Sequence, residues 1–148
     1  LRKTIVADVV ELVFIMDEER FKKLNHENGL KEFQNIVILR IDMSIFFANA
    51  HNITDQIEKI VARKGKELEH IVINFSGVNY VDVSGCETLN ELFDDLNAKG
   101  LKIYSMYRKQ QVRDIMRKSG IQDHLSMLHD IKGFKHEFIV QKNVNFKK

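Results

Sequence analysis

The sequence predicts an α/β domain with a mixed, mostly parallel sheet of about five strands and surrounding helices. Three observations carry this. The run Ile71-Val72-Ile73-Asn74-Phe75 is short, apolar and β-branched, the pattern of a central strand covered on both faces. Beyond it Cys86, Leu89, Leu92, Phe93 and Leu96 recur at helical spacing and form one apolar face. From residue 36 onward strand-like runs alternate with such helical patterns, an order that calls for parallel pairing through right-handed crossovers.

Residues 1–34 leave two readings open. Val6, Val9, Val10, Val13 and Phe14 fit a helical period, yet the valine-rich composition favours a strand. A charged segment follows, with a turn at Asn28-Gly29. Residues 36–41 then read as a strand and Ile45-Phe46-Phe47 as a second short one, joined by Asp42-Met43-Ser44 into an antiparallel edge pair. Ala50, Ile53, Ile57, Ile60 and Val61 trace a helix that Gly65 closes. The helix after Ser84 ends at Lys99-Gly100, residues 101–106 form another buried strand, and Val112, Ile115 and Met116 mark a helix ending at Ser119-Gly120. Residues 125–128 are a short strand and 131–140 a weaker helix. The domain is thus expected over 35–141, preceded by an extension at 1–34 and followed by a basic tail at 142–148.

Bulk properties exclude several classes. At 148 residues, 44% apolar and 30% charged, the chain has the length and composition of one globular domain. Its net charge of +2 gives no reason to expect a nucleic-acid partner. The single cysteine, Cys86, cannot form an internal disulfide, which fits a reducing compartment. Proline is absent, so turns rest on Gly, Asn, Asp and Ser. No stretch reaches the roughly 18–20 apolar residues that cross a bilayer. The chain begins with Leu1 rather than Met, so a longer parent chain is expected.

The chemistry concentrates at Val81-Asp82-Val83-Ser84-Gly85-Cys86-Glu87, between the central strand and its helix. Ser84 and Glu87 have the spacing of a capping box, with the serine accepting from a first-turn amide and the glutamate reaching back. A hydroxyl at the positive end of a helix dipole is equally a place to carry a phosphate, although Asp82 and Glu87 would repel one. Asp82 is either a loop acid satisfying backbone amides or a regulatory group. Gly85 is either a helix start without a Cβ or a point of close approach. Cys86, on the apolar face, reads as a buried inert thiol or as a redox switch beside a helix N-terminus. The six histidines show no metal-ligand spacing, and neither a nucleophile elbow nor a phosphate-cradling glycine motif is present, so no enzymatic activity, metal or cofactor is expected. Arg108, Lys109, Arg113, Arg117 and Lys118 make the third helix basic on its polar side, a solvated face or a surface for phosphate or anionic lipid. Phe46 and Phe47 read as core or interface aromatics.

The stretch around Asp82, Ser84 and Gly85 resembles the STAS domain family, whose signature is a strand, Asp-Ser/Thr-Ser/Thr-Gly and an apolar helix; Val83 departs from it. The Phe46-Phe47-Ala48-Asn49 that closes residues 36–50 is similar to the branch found in SulP-type anion transporters, with Met43-Ser44 departing from the usual turn. The resemblance implies a cytoplasmic regulatory domain on the inner side of the cell membrane, joined to a transmembrane anion-transport domain of the same chain. It also implies a homodimeric full-length protein and a further cytoplasmic protein partner. Two alternatives follow from the same resemblance: a free-standing anti-sigma-factor antagonist phosphorylated at Ser84, and a weak GTP- or ATP-binding module.

Overall fold

Strand-forming residues begin earlier in the chain than residue 36. In the computed structural model, which describes residues 8–25 and 30–147, β1 (Val9–Ile15) and β2 (Arg20–Lys23) form an antiparallel hairpin with Phe14 opposite Phe21. β1 is a strand because both of its faces are apolar and both are covered. Val9 joins the core on one side, and Val10, Leu12 and Phe14 join the core on the other. That two-sided pattern is also why a helical period fitted these residues. Residues 9–23 of the expected extension are therefore part of the sheet. Val6 and the turn at Asn28-Gly29 lie outside the described residues.

β3 (Ile36–Ile41) pairs antiparallel with β1, placing Leu12 opposite Ile38. The expected edge pair between residues 36–41 and 45–47 does not form. Ile45 makes a single parallel bridge to Val81, and Phe46 already caps α1 (Phe47–Lys64). The reason is local: the Asn49 side-chain oxygen accepts the Phe46 N–H at 2.8 Å and its side-chain amide donates to the Ser44 carbonyl at 2.9 Å. This is the reach-back half of a capping box, and it turns the chain into a helix before a strand can extend. The sheet then continues with β4 (His70–Asn74), β5 (Lys102–Met106) and β6 (Leu125–His129), each parallel to its predecessor, with α2 (Val83–Ala98) and α3 (Gln110–Ser119) as crossovers. The order is β2-β1-β3-β4-β5-β6, six strands among the described residues rather than about five, with β4 inside the sheet as expected.

The helices α1, α2 and α3 cover one face. Ile53, Ile57, Cys86, Leu89, Phe93, Val112 and Met116 meet Leu39, Ile71, Ile73 and Ile103 there. The opposite face is closed by α4 (Ile131–Phe134) and the wider helical turns Lys135–Val140 that follow it. Phe134 and Phe138 are fully buried on it against Phe14, Val72, Tyr104 and Leu128. Each such ring contributes about 1.5–3 kcal/mol by leaving water. Residues 142–147 fold back as well: Asn35 donates to the Asn143 carbonyl at 2.9 Å and accepts the Asn145 N–H at 2.8 Å.

His70 sits half-buried at the start of β4, its Nδ1 2.9 Å from the Tyr104 hydroxyl and its ring edge-on to Phe138. Burial pushes the imidazole below its ordinary value, with Lys102 adding to this and Glu69 and Glu137 opposing it. Burial also pushes the Tyr104 phenol up to about 12. The unfolded chain takes up a proton near pH 6.5, whereas the folded chain resists until lower pH. Unfolded molecules thus bind more protons in that window, and stability falls as pH drops below about 6.5. In urea melts between pH 7.5 and 5.5 the wild type is expected to lose stability and His70→Gln to lose measurably less. Equal slopes would assign the effect to other groups.

Candidate functional site

The backbone of Tyr80 to Asp82 is held extended by Ile45. The Ile45 N–H donates to the Tyr80 carbonyl at 2.9 Å, and the Asp82 N–H donates to the Ile45 carbonyl at 3.0 Å. A chain extended to residue 82 and free to turn thereafter starts its helix at Val83, which makes Asp82 the N-cap. Its Oδ1 accepts the Gly85 N–H at 2.6 Å. The expectation that Ser84 caps this helix is thereby corrected. Ser84 occupies the second helical position with its side chain toward solvent, and Glu87 has no cap serine to answer. Asp and Ser are comparable caps, so only the bridge to Ile45 decides between them.

Asp82 does a second job. Its Oδ2 accepts the N–H of Phe47, the first residue of α1, at 3.2 Å. One carboxylate thus satisfies an orphan amide at the start of each of two helices, where both dipoles present their positive ends. Gly85 makes the junction possible. A Cβ there would lie 2.7 Å from the Ile45 carbonyl oxygen, so its role is close approach of backbone to backbone. Cys86 is fully buried with its Sγ 3.1 Å from the Ser119 hydroxyl, and burial pushes the thiol up, which suits the inert reading.

Around this junction the surface is apolar. Phe46 is 42% exposed, Phe47 72%, Tyr80 45% and Val83 56%. The Phe46 and Tyr80 rings stack with centroids 5.6 Å apart. Phe46 and Phe47 are therefore surface aromatics, outside the core.

The basic residues expected on one helix face divide. Arg108 and Lys109 precede α3, Lys109 as its N-cap, because the chain is still extended there, while Arg113, Arg117 and Lys118 lie on the helix. Arg108, Lys109 and Arg113 line a hollow of about 450 Å³ at the carboxyl ends of β4, β5 and β6, together with Ser76, Ser105, Tyr107, Met127 and His129. Arg117 is directed elsewhere, toward Asp114 at 3.5 Å. The helix is also tied to the loop before α2 by a residue that sequence reading passed over. Gln111 accepts the Val81 N–H and donates to the Val81 carbonyl, both at 3.0 Å. Lys109 donates to the Asn79 side chain beside it. Nothing in the spacing of Gln111 announces this clamp; only the crossover that brings α3 past the loop does. Among the described residues no three His, Cys, Asp or Glu side chains converge as a metal site would require.

Comparison with known proteins places this geometry. The STAS domain family model matches residues 29–136. A protein named probable sulfate transporter 3.5, from Arabidopsis thaliana, is 25% identical over 96 residues, which is 65% of this chain and 15% of that transporter. Sulfate transporter 3.1 of the same plant is 31% identical over 99 residues, 61% of this chain and 15% of its own length. The chain thus spans about 15% of the curated relatives it matches. Among solved structures, the murine Solute Carrier 26 family member A9 anion transporter superposes with a TM-score of 0.76 at 18% identity, over 92% of this chain and 22% of that one. A putative anti-sigma factor antagonist from Thermotoga maritima superposes with a TM-score of 0.59 at 15% identity, over 76% of this chain and 97% of that one. At these identities the structural likenesses show the fold.

The junction makes an ordered set of stability changes. Asp82→Ala strands two helix-start amides and is expected to cost about 1–2 kcal/mol, while Asp82→Asn, which keeps an acceptor, costs less. Gly85→Ala forces the Ile45 carbonyl aside, at about 1–3 kcal/mol. Ser84→Ala should stay within about 0.5 kcal/mol, as exposed positions do. Urea melts of the four variants check the order, and a Ser84→Ala cost above that of Asp82→Ala would refute it.

Proposed function

The chain belongs to the STAS domain family, and on that premise we propose that it is the regulatory and docking domain of a SulP-like sulfate transporter. In this reading it lies on the cytoplasmic side of the cell membrane and works without catalysis. The observation that carries the reading is the apolar patch of Phe46, Phe47, Tyr80 and Val83. Aromatic side chains fixed on a rigid frame and left in water are the usual anchors of a protein interface. Here the frame is the Asp82 junction, which fixes the starts of both helices that carry the patch.

The occupant we assign to the patch is the transmembrane anion-transport domain of the same polypeptide. Relatives named as sulfate transporters, of which this chain matches only 15%, support a larger parent protein of that kind. A homodimeric full-length protein and a further cytoplasmic partner are compatible with the same surface. One observation favours a second reading. Ser84 stands exposed at the first turn of α2, open to a kinase, as a free-standing anti-sigma-factor antagonist would need.

The full-length gene separates the two. Sulfate uptake by cells producing the full-length protein is expected to fall severalfold when Phe47→Asp and Val83→Asp are combined. The melt of the 148-residue chain carrying both changes should shift by less than about 1 kcal/mol, since both side chains are exposed. Unchanged uptake overturns the docking role. A full-length chain lacking apolar spans of about 20 residues overturns the transporter reading altogether. Stoichiometric phosphorylation of Ser84 by a kinase of the same cell would then establish the antagonist.

A further inference from the structure

The hollow at the carboxyl ends of β4, β5 and β6 has an unusual charge balance. Its lining includes Arg108, Lys109 and Arg113 and, among the described residues, contains no carboxylate. Each of these cations is oriented by neutral acceptors. Arg108 donates to the Gln122 side-chain oxygen Oε1 at 3.0 Å and approaches the Met116 sulfur at 3.8 Å. Arg113 donates to the Arg108 carbonyl at 3.2 Å and to the Gln110 side chain at 2.6 Å, and Lys109 donates to Asn79. Among the described residues none of the three has an ion-pair partner, whereas Arg40, Arg63, Lys64 and Arg117 all do. Burial and then the neighbouring Arg113 charge push the Arg108 guanidinium below its ordinary value, the mark of a cation whose surroundings oppose it.

The floor and rim of the hollow add donors. Ser105 is 1% exposed, and among the described residues its hydroxyl has no stronger partner than the Met127 thioether, at 3.1 Å. A thioether is a weak acceptor, so the hydroxyl remains available to a better one. Ser76 and Tyr107 bring further hydroxyls to the lining. Tyr107 and His129 both adopt left-handed backbone angles, φ 57° and 66°, that non-glycine residues rarely hold. They are locked there by the Tyr107 N–H donating to the His129 carbonyl at 2.8 Å and by the Ile131 N–H donating to the Tyr107 hydroxyl at 3.0 Å. The left-handed turn at Tyr107 is where the chain leaves β5 and sets Arg108 and Lys109 at the mouth.

We infer that this hollow is a binding site for a doubly charged tetrahedral oxyanion, sulfate or phosphoryl, free or carried on a small molecule. Guanidinium forks, an ammonium and hydroxyls are donors matched to tetrahedral oxygens, and a halide would leave most of them idle. The volume of about 450 Å³ exceeds one such anion and leaves space for a carrier. The assignment stands on the hollow alone, whether or not the domain is joined to a transporter.

Isothermal titration of the 148-residue chain at constant ionic strength, with chloride as the background anion, tests it. Sodium sulfate, sodium phosphate and GTP are titrated separately. Saturable one-to-one binding is expected for at least one of them. Arg108→Gln and Arg113→Gln should each weaken it by about tenfold or more, the loss of one charge-assisted contact. Arg113 is the more exposed, so its variant keeps the test valid should Arg108→Gln unfold. Arg117→Gln, on the same helix but outside the hollow, should leave binding unchanged. Tighter binding of GTP than of either inorganic anion supports the site with a carried phosphoryl group, and the reverse order supports it with a free anion. Absence of saturable binding by all three overturns the assignment. So does an equal loss in Arg117→Gln, which would mean diffuse attraction to a basic helix.

Discussion

Two helices in this fold begin within reach of one carboxylate. Each helix start leaves backbone amides without partners, and here the two starts are brought together by the bridge between Ile45 and Val81. Without Asp82 the same arrangement would set two positive dipole ends side by side with nothing between them. The carboxylate turns a repulsive juxtaposition into a shared cap, with Gly85 on one side at 2.6 Å and Phe47 on the other at 3.2 Å. Gly85 is the second half of the constraint, since a methyl group in its place would meet the Ile45 carbonyl. Everything exposed around the junction, from Phe46 to Ser84, takes its position from these contacts.

The junction in turn depends on the sheet. Ile45 follows β3 and Val81 follows β4, so their bridge continues the parallel pairing of the two strands past their ends. β3 and β4 hold register because apolar side chains alternate onto two different cores, Leu39 and Ile73 toward the helices, Ile38 and Val72 toward α4. A slip by one residue would exchange the two sets and displace the loop ends that carry the site.

Much of this was legible in the sequence because burial on both faces writes itself as a continuous apolar run. The strand at residues 71–75, the stripe from Cys86 to Leu96, and the helix closings at Gly65, Gly100 and Gly120 all reappear in the fold. Four features were not legible, each for a physical reason. β1 is apolar on both faces, so its valines satisfied a helical period as well as a strand. Phe46 and Phe47 look like strand residues, but Asn49 captures the Phe46 amide and diverts the chain into α1. Ser84 has the residue type and spacing of a cap. What excludes it is a hydrogen bond from Asp82 to Ile45, a residue 37 positions earlier, and local spacing carries no record of such a contact. The basic face of α3 was visible, but its division between a hollow and open solvent was not, because that depends on which strand ends the helix overlies.

The apolar patch and the basic hollow are not independent surfaces. Both are fastened to the loop between β4 and α2, the first through the bridge at Val81 and the second through the start of α3. Gln111 grips both backbone groups of Val81, and Lys109 holds Asn79 two residues before it. Lys109 also faces the hollow, so an anion there competes with Asn79 for the same ammonium. Gln111 carries no charge and stays with Val81 in either case. Charge entering the hollow therefore bears on the flank of the loop while its centre, at Val81 and Asp82, stays fixed. Tyr80 lies between Asn79 and Val81, stacked on Phe46, and is the member of the apolar patch best placed to register the difference.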